Sequence, residues 1–378
     1  MFNRRVIYIT GTRADFGLMR STLIRINKSS KLSLSLIVTG MHLSHKYGYT
    51  AQEIKSSGIE IIEQVPVNLE PETGKTMSLA LSVMIAEFTK IFNKANPDIV
   101  IVLGDRGEML AGALSCLHLG IPVAHIHGGE RSGTIDESIR HAISKLSHIH
   151  LTSTLESKSR LISLGEVPAN IHVTGAPGIE DIDELATFSR SELISKFSLI
   201  KDKPICLLVF HPVVQESSSA GIQVKIILEA LSRKSELQII GILPNSDSGS
   251  ESIRQQMNVL KYPKLKTFTN LSRNEFLSFM REVDFMIGNS SSGIIESGSF
   301  GTPVINIGSR QKMRQRNTNV VDVKLDSDAI YEKINLALKD GKYSIKNIYG
   351  DGKTGKRIQQ ILEITPLNKE LLNKVLTY

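Results

Sequence analysis

Short apolar runs alternate along this chain with longer stretches in which apolar residues recur every three or four positions. The first kind reads as strand and the second as amphipathic helix. Strands are predicted over 6–10, 34–39, 99–103, 123–126, 149–152 and 171–174. Helices are predicted over 14–27, 51–56, 79–93, 109–119, 135–145 and 156–164, with Asn96-Pro97 closing the long one. Strands that alternate with helices imply a parallel sheet covered on both faces.

The pattern then starts again. Strands are expected over 205–210, 237–242, 265–268, 285–287 and 304–307, with helices over 224–233, 252–260, 274–281 and 294–300. Between the halves, 175–203 has no strong strand, and Pro177, Gly178 and Pro204 mark a junction near it. Helical patterns over 356–363 and 367–376 close the chain. The expected fold class is α/β, with two Rossmann-like doubly wound domains facing one cleft: residues 1–176, residues 177–355, and helices over 356–378. A length of 378 residues also favours two cores over one.

Composition narrows the class. Hydrophobic residues at 41% and charged residues at 22% are ordinary for a globular protein. A net charge of +7 suits an anionic ligand. There is no dense Lys/Arg run and aromatics are 5%, so a nucleic-acid partner is not expected. Cys116 and Cys206 both lie in apolar surroundings and read as buried free thiols in a reducing cytoplasm. The chain enters its first strand after Arg5 without a signal-peptide pattern, and no run of about 18 apolar residues appears, so no membrane association is expected.

The most telling stretch is 284–308. A strand runs into Gly288-Asn289-Ser290-Ser291-Ser292-Gly293, and a helical pattern follows with Glu296 near its start. Free backbone N–H groups, Ser hydroxyls and a helix N-terminus make an anion site. Glu296 would repel a phosphate but suits a ribose, whose hydroxyls a carboxylate can accept from. Phosphate plus ribose suggests a nucleotide.

Other candidates sit at strand ends. Arg13, in Gly11-Thr12-Arg13-Ala14-Asp15, opens a helix after the first strand and could fork onto a phosphate; the alternative is a surface Arg at a turn. Asp105 and Arg106 follow a strand, where Asp105 could equally be an N-cap. His125-Ile126-His127-Gly128-Gly129-Glu130 brings titratable groups beside a Gly pair, which suits acid/base work. No third ligand stands at a metal spacing, so no metal is expected. Thr134 and Glu137 fit a capping box, while Asp136 could face the cleft. His211 ends the first strand of the second half, and His42 also follows a strand. Two motifs fail: 350–355 lacks the first Gly of a phosphate-binding loop, and 293–298 has no Ser at a strand-to-helix elbow.

Together these motifs resemble the hydrolysing UDP-N-acetylglucosamine 2-epimerases of bacterial sialic acid biosynthesis. The resemblance is carried by Gly11 to Asp15, Thr39-Gly40-Met41-His42, Leu103-Gly104-Asp105-Arg106, His125 to Glu130 and Ser138-Ile139-Arg140-His141. It continues through His211-Pro212-Val213, Gly288-Asn289-Ser290-Ser291, Gly301 to Asn306 and Gly308-Ser309-Arg310. It implies a fold of the GT-B type and conversion of UDP-N-acetylglucosamine and water to N-acetylmannosamine and UDP. The implied route is elimination of UDP to a 2-acetamidoglucal, then hydration with inversion at C2. Asp105, His127, Glu130, Asp136 and His211 are the implied catalytic residues. Arg13, His42, Arg106, Asn245, Ser290, Ser291, Glu296 and Arg310 are the implied substrate contacts. Sugar and acid/base residues would belong to the first domain and UDP to the second. No cofactor is implied, because no hydride moves. Homodimers or homotetramers are implied.

The chain departs from many members at Leu18, where they carry Lys, and His127 stands where some carry Glu. A sister enzyme acting on UDP-2,4-diacetamido-2,4,6-trideoxyglucose, in legionaminic acid synthesis, shares most of these motifs. A retaining GT-B glycosyltransferase and a non-catalytic UDP-sugar-binding protein are the other readings. The group of acid/base candidates argues against both.

Overall fold

The computed structural model describes residues 3–133, 135–259 and 264–377. Thr134 of the expected capping box and the last residue of the helix expected over 252–260 lie outside them. The chain divides into two compact units, one formed from most of 1–180 together with 349–378, the other from 181–348.

Among the described residues the first unit holds seven parallel strands: β1 (Arg4–Thr10), β2 (Leu32–Thr39), β3 (Glu60–Val65), β4 (Ile99–Leu103), β5 (Val123–Ile126), β6 (Ile149–Thr152) and β7 (Ile171–Val173). Their order is β3-β2-β1-β4-β5-β6-β7. Successive side chains leave opposite faces of a strand, and the core follows that alternation. Val6 and Tyr8 of β1 join one buried cluster with Met19, Leu23, Ile99 and Ile101. Ile7 and Ile9 join another with Phe88, Val100 and Val102. Helices Arg13–Asn27 and Gly74–Ala95 cover these two faces.

The second unit repeats the plan with β8 (Ile205–Val209), β9 (Gln238–Ile242), β10 (Leu265–Phe268), β11 (Phe285–Gly288), β12 (Val304–Ile307) and β13 (Val320–Val323). The order is β10-β9-β8-β11-β12-β13, again parallel. In each sheet the strand order reverses beside the first strand: between β1 and β4, and between β8 and β11. The carboxyl ends of those strands are where an open α/β sheet binds ligands.

Most expected elements are present within a few residues. Two edge strands, β3 and β13, go beyond the pattern, because neither alternates. In β3, Glu60, Ile61, Ile62 and Glu63 are all exposed or half-buried, and β13 has Val321 and Asp322 exposed. Helices Arg190–Lys196 and Ser327–Asp340 also add to the expected set. The pattern over 367–376 yields only Lys369–Leu372. The helix expected over 294–300 is instead a five-residue helix, Ser291–Ile295, and a 3-10 turn, Ser297–Ser299. Residues 349–355, expected in the second domain, pack with the first unit instead: the Ala176 amide donates to the Tyr349 carbonyl at 2.8 Å, and the Gly355 amide to Glu180 Oε2 at 2.7 Å.

Candidate active site

Loops after β4, β5 and β6 bring one group of side chains together in the first unit. Gly104 leaves β4 with φ +80, a left-handed conformation that favours glycine. Its amide donates to the Ile126 carbonyl at 2.9 Å, which ties the loop before Asp105 to β5. Asp105 does not cap the following helix, Gly107–Leu119; Arg106 occupies the N-cap position. The Asp105 carboxylate instead accepts from Arg140 Nη2. Arg140 is 1% exposed, and its Nη1 donates to the Glu130 carbonyl at 3.2 Å. One buried guanidinium thus holds Asp105 and the backbone of Glu130 in fixed relation.

His127 has φ +65, a strained backbone for a residue with a Cβ. Its Nδ1 lies 2.6 Å from Glu130 Oε1, and Ser153 Oγ donates to the same oxygen at 2.7 Å. A carboxylate can only accept, so Nδ1 carries a proton and Nε2 is the nitrogen left to give or take one. Nε2 is buried and has no hydrogen-bond partner among the described residues. The pair therefore presents one ring nitrogen, backed by a carboxylate on the other, the arrangement that orients a histidine for proton transfer. His125 does different work. Its Nε2 meets the Gly104 carbonyl at 2.7 Å and its Nδ1 meets Ser144 Oγ at 3.1 Å. Burial holds its pKa down to about 3, so it is a neutral strut. Asp136 is half-buried in the first turn of helix Ile135–Leu146, on the same face as Arg140 four residues on.

The end of β1 is built around a buried acid. Asp15 accepts from the Gly11 and Thr12 amides at 3.0 and 2.7 Å, and Thr12 caps the helix in return. Burial raises the Asp15 pKa, against these hydrogen bonds. Gly11 lies close against Glu108 here: a Cβ would stand 2.7 Å from its Oε1, so the Glu108 side chain would have to move. Arg13 Nε donates to Glu53 Oε2 at 2.7 Å, and Arg106 Nε lies 3.3 Å from Glu108 Oε2. Both cations expected at a phosphate are thus paired with carboxylates. His42, expected as a substrate contact, belongs to the core. It is 0% exposed, with Nε2 on Thr10 Oγ1 at 2.9 Å and Nδ1 on Thr50 Oγ1 at 2.7 Å. Burial lowers its pKa to about 4.

In the second unit the ends of β8 and β11 are joined by Asn289. Its Oδ1 accepts the His211 amide at 2.7 Å and its Nδ2 donates to the His211 carbonyl at 2.8 Å. Gly288 permits this approach: at φ +133, a Cβ would lie 2.1 Å from the Val209 carbonyl oxygen. His211 is half-buried beside this clamp. The helix dipole expected at the Gly288 loop is weak, because helix Ser291–Ile295 has five residues. Ser290 caps it, with its hydroxyl on the Ser292 amide at 3.3 Å; Ser291 is half-buried in its first turn. Glu296 is 2% exposed and accepts from Arg273 through Oε1. Arg310 Nη1 donates to the Asn289 carbonyl at 3.2 Å. Asn245 follows β9 half-buried, its carbonyl accepting from Arg254 at 3.2 Å.

Sequence reasoning gave no role to Arg140, Ser153, Glu108 or Arg273. Arg140 lay inside a quoted motif, and Ser153 directly follows a predicted strand, the position that marked the other candidates. Nothing in the sequence pairs Arg273 with Glu296.

Two doubly wound parallel-sheet units, with polar groups gathered at their strand ends, define the GT-B class of nucleotide-sugar fold. The family model described as UDP-N-acetylglucosamine 2-epimerase matches residues 24–363. The chain is 46% identical over 376 residues to the hydrolysing UDP-N,N'-diacetylbacillosamine 2-epimerase of Legionella pneumophila, covering 99% of this chain and 100% of that one. It is 33% identical to a UDP-N-acetylglucosamine 2-epimerase of Neisseria meningitidis, covering 96% and 94%. Among solved structures, UDP-GlcNAc 2-epimerase from Neisseria meningitidis bound to UDP-GlcNAc superposes with a TM-score of 0.80 at 19% identity, over 95% and 99% of the two chains. The chain belongs to the hydrolysing UDP-N-acetylglucosamine 2-epimerase family.

Proposed function

We propose that this protein hydrolyses a UDP-linked 2-acetamido sugar, inverting C2 and releasing UDP. The observation that carries the reading is the His127–Glu130 pair, with its unpartnered Nε2, in one group with Asp105 and Arg140. In the first stage a base takes the C2 proton, the C1–O bond breaks, and UDP departs with the electron pair. In the second, water adds its oxygen to C1 of the unsaturated sugar, and the protonated group on the opposite face delivers its proton to C2 and is recharged by the proton that water loses. Inversion needs two proton-handling groups, one for each face. His127 Nε2 and Asp105 are that pair. Glu130 and Ser153 orient His127, and Arg140 holds the Asp105 carboxyl in place. Asp136 and His211 are further proton-handling candidates.

The departing diphosphate needs cations and donors. Arg13, Arg106 and Arg310 serve it once their present partners yield, with the Ser290 and Ser291 hydroxyls. Glu296 meets the ribose, since Arg273 engages one oxygen and a carboxylate accepts at about four positions. Asn245 completes the UDP contacts. No hydride moves, so no nicotinamide is needed. Among the described residues no helix is long and apolar enough to cross a membrane.

The sugar favoured is UDP-N,N'-diacetylbacillosamine, which is UDP-2,4-diacetamido-2,4,6-trideoxyglucose. The Legionella relative named for it is more similar than the Neisseria relative named for UDP-N-acetylglucosamine, 46% against 33%. UDP-N-acetylglucosamine is the second reading, supported by that Neisseria relative. The test is incubation with each sugar, with NMR of the released product. Release of the 2-epimer and UDP from the diacetamido sugar at the higher kcat/KM supports the proposal. Release from neither sugar refutes it.

A further inference from the structure

Residues 365–377 lie against the first unit where β6 and β7 begin, at the sheet edge opposite the strand ends that carry Asp105 and His127. Leu371 joins the buried cluster of the first unit and Leu367 packs against it. A cavity of about 350 Å³ separates the segment from His148, His150, Glu166 and Asn170. A polar fastening beside this apolar one centres on Lys374. Its ammonium donates to the carbonyls of Ser144 at 2.9 Å, Lys145 at 2.9 Å and Ser147 at 2.8 Å, and lies 2.5 Å from Glu166 Oε2. Glu166 is itself 1% exposed and held by His150 Nε2 and Lys145, each at 2.9 Å.

Those three carbonyls lie at the carboxyl end of helix Ile135–Leu146, where a helix leaves acceptors without backbone donors and carries partial negative charge. An ammonium has three N–H groups, which are shared among these three carbonyls and the Glu166 carboxylate. The same helix carries Arg140, four residues and about 6 Å before Ser144. Two paths run from this end to Asp105. Arg140 reaches its carboxylate directly. Ser144 Oγ lies 3.1 Å from His125 Nδ1, and His125 Nε2 holds the carbonyl of Gly104, the residue before Asp105.

We propose that Lys374 is a positioning residue for the acid/base group, clamping the helix whose Arg140 and Ser144 set the place of Asp105. The proposal rests on the reading that Asp105 and His127 handle the C2 proton. Without the ammonium the helix end loses its only lysine cap from the 365–377 segment, and Arg140 slides with it. A shift near 1 Å at a reacting group costs on the order of 10²-fold in rate.

The test uses the full chain with Lys374→Met and Lys374→Ala. In Lys374→Met, kcat for UDP release is expected to fall roughly ten- to hundredfold, while KM and UDP affinity stay within about twofold. Ethylammonium, which fits the space left in Lys374→Ala beside the cavity, is expected to restore turnover; tetramethylammonium, which has no N–H, is not. A folded Lys374→Met protein with kcat within about twofold of the parent overturns the proposal. So does restoration by both cations alike. If the parent releases UDP from neither sugar, the functional reading fails on its own, and amide hydrogen exchange decides the clamp. Faster exchange over 104–108 and 135–146 in Lys374→Met upholds it, and parent-like protection there overturns it. The same measurement decides if Lys374→Ala does not fold.

Discussion

Asp105→Asn separates the chemical role of this residue from its structural one. The substitution keeps the shape and one acceptor oxygen but removes the charge facing Arg140. That guanidinium is 1% exposed, so it cannot turn to water for compensation. It keeps the Glu130 carbonyl at 3.2 Å and a neutral amide oxygen in place of the carboxylate. Exchanging a charged for a neutral acceptor on a buried cation costs about 2 kcal/mol. For a unit of this size that lowers Tm by about 4–8 °C. Turnover is expected to fall far more, by roughly 10²–10⁴-fold, because the amide can neither take nor hold the proton. UDP affinity should stay near that of the parent, since the residues proposed for UDP lie mainly in the second unit. The assays are a thermal melt, calorimetric UDP binding, and UDP release measured well below the variant's Tm. Near-normal turnover in the folded variant would refute the Asp105 assignment. A Tm equal to the parent's would refute the dependence of Arg140 on the charge.

Three other outcomes follow from the same structure. His42 and His125 have pKa values lowered to about 4 and about 3, so the unfolded chain binds their protons first as pH falls below about 6.5. Their contribution to stability is complete above that pH and is lost as pH falls toward 4, by on the order of 3 kcal/mol for each. Urea midpoints measured from pH 7 to pH 4.5 should decline, and a flat profile contradicts the neutral-strut assignment. Gly288→Ala places a Cβ 2.1 Å from the Val209 carbonyl oxygen. It should cost about 2 kcal/mol or more in denaturant unfolding, and a change below about 0.5 kcal/mol removes the need for glycine there. Reaction in heavy water should put one deuterium at C2 of the released sugar, and a product without it excludes deprotonation at C2.

Much of the fold was legible because central parallel strands are buried on both faces. Residues 99–103 are a continuous apolar run, 123–126 and 149–152 each carry one histidine among mostly apolar residues, and each of the three is a fully buried strand with those bounds. Edge strands lack that signature, as Glu60 and Glu63 in β3 illustrate. The short helix after the Gly288 loop misled for another reason. Ile294 and Ile295 fit a helical period, but their carbonyls are taken by the Asn317 and Asn347 side chains at 3.0 and 2.7 Å, and the helix ends. At the site, strand-end position located Asp105, His127 and Glu130. Their partners come from distant parts of the chain, and periodicity carries no information about contacts between Arg140 and Asp105 or between Ser153 and Glu130. Burial also changes meaning only in three dimensions. His42 and His127 both follow strands, yet the first spends both ring nitrogens on threonines and the second keeps one available.

The return of residues 349–378 to the first unit has a consequence for synthesis. Ile358 and Leu362 on helix Thr354–Ile364 are 0% exposed and belong to the cluster that contains Met19 and Leu23. On the ribosome the second unit has all of its strands once residue 323 has emerged, while the first still lacks part of its core. The unit translated first is therefore completed last. Its half-built core, with the surfaces of Met19 and Leu23 uncovered, must stay out of aggregates while the second unit is made, so nascent-chain chaperones should bind stalled chains ending near residue 340 more strongly than chains released at full length.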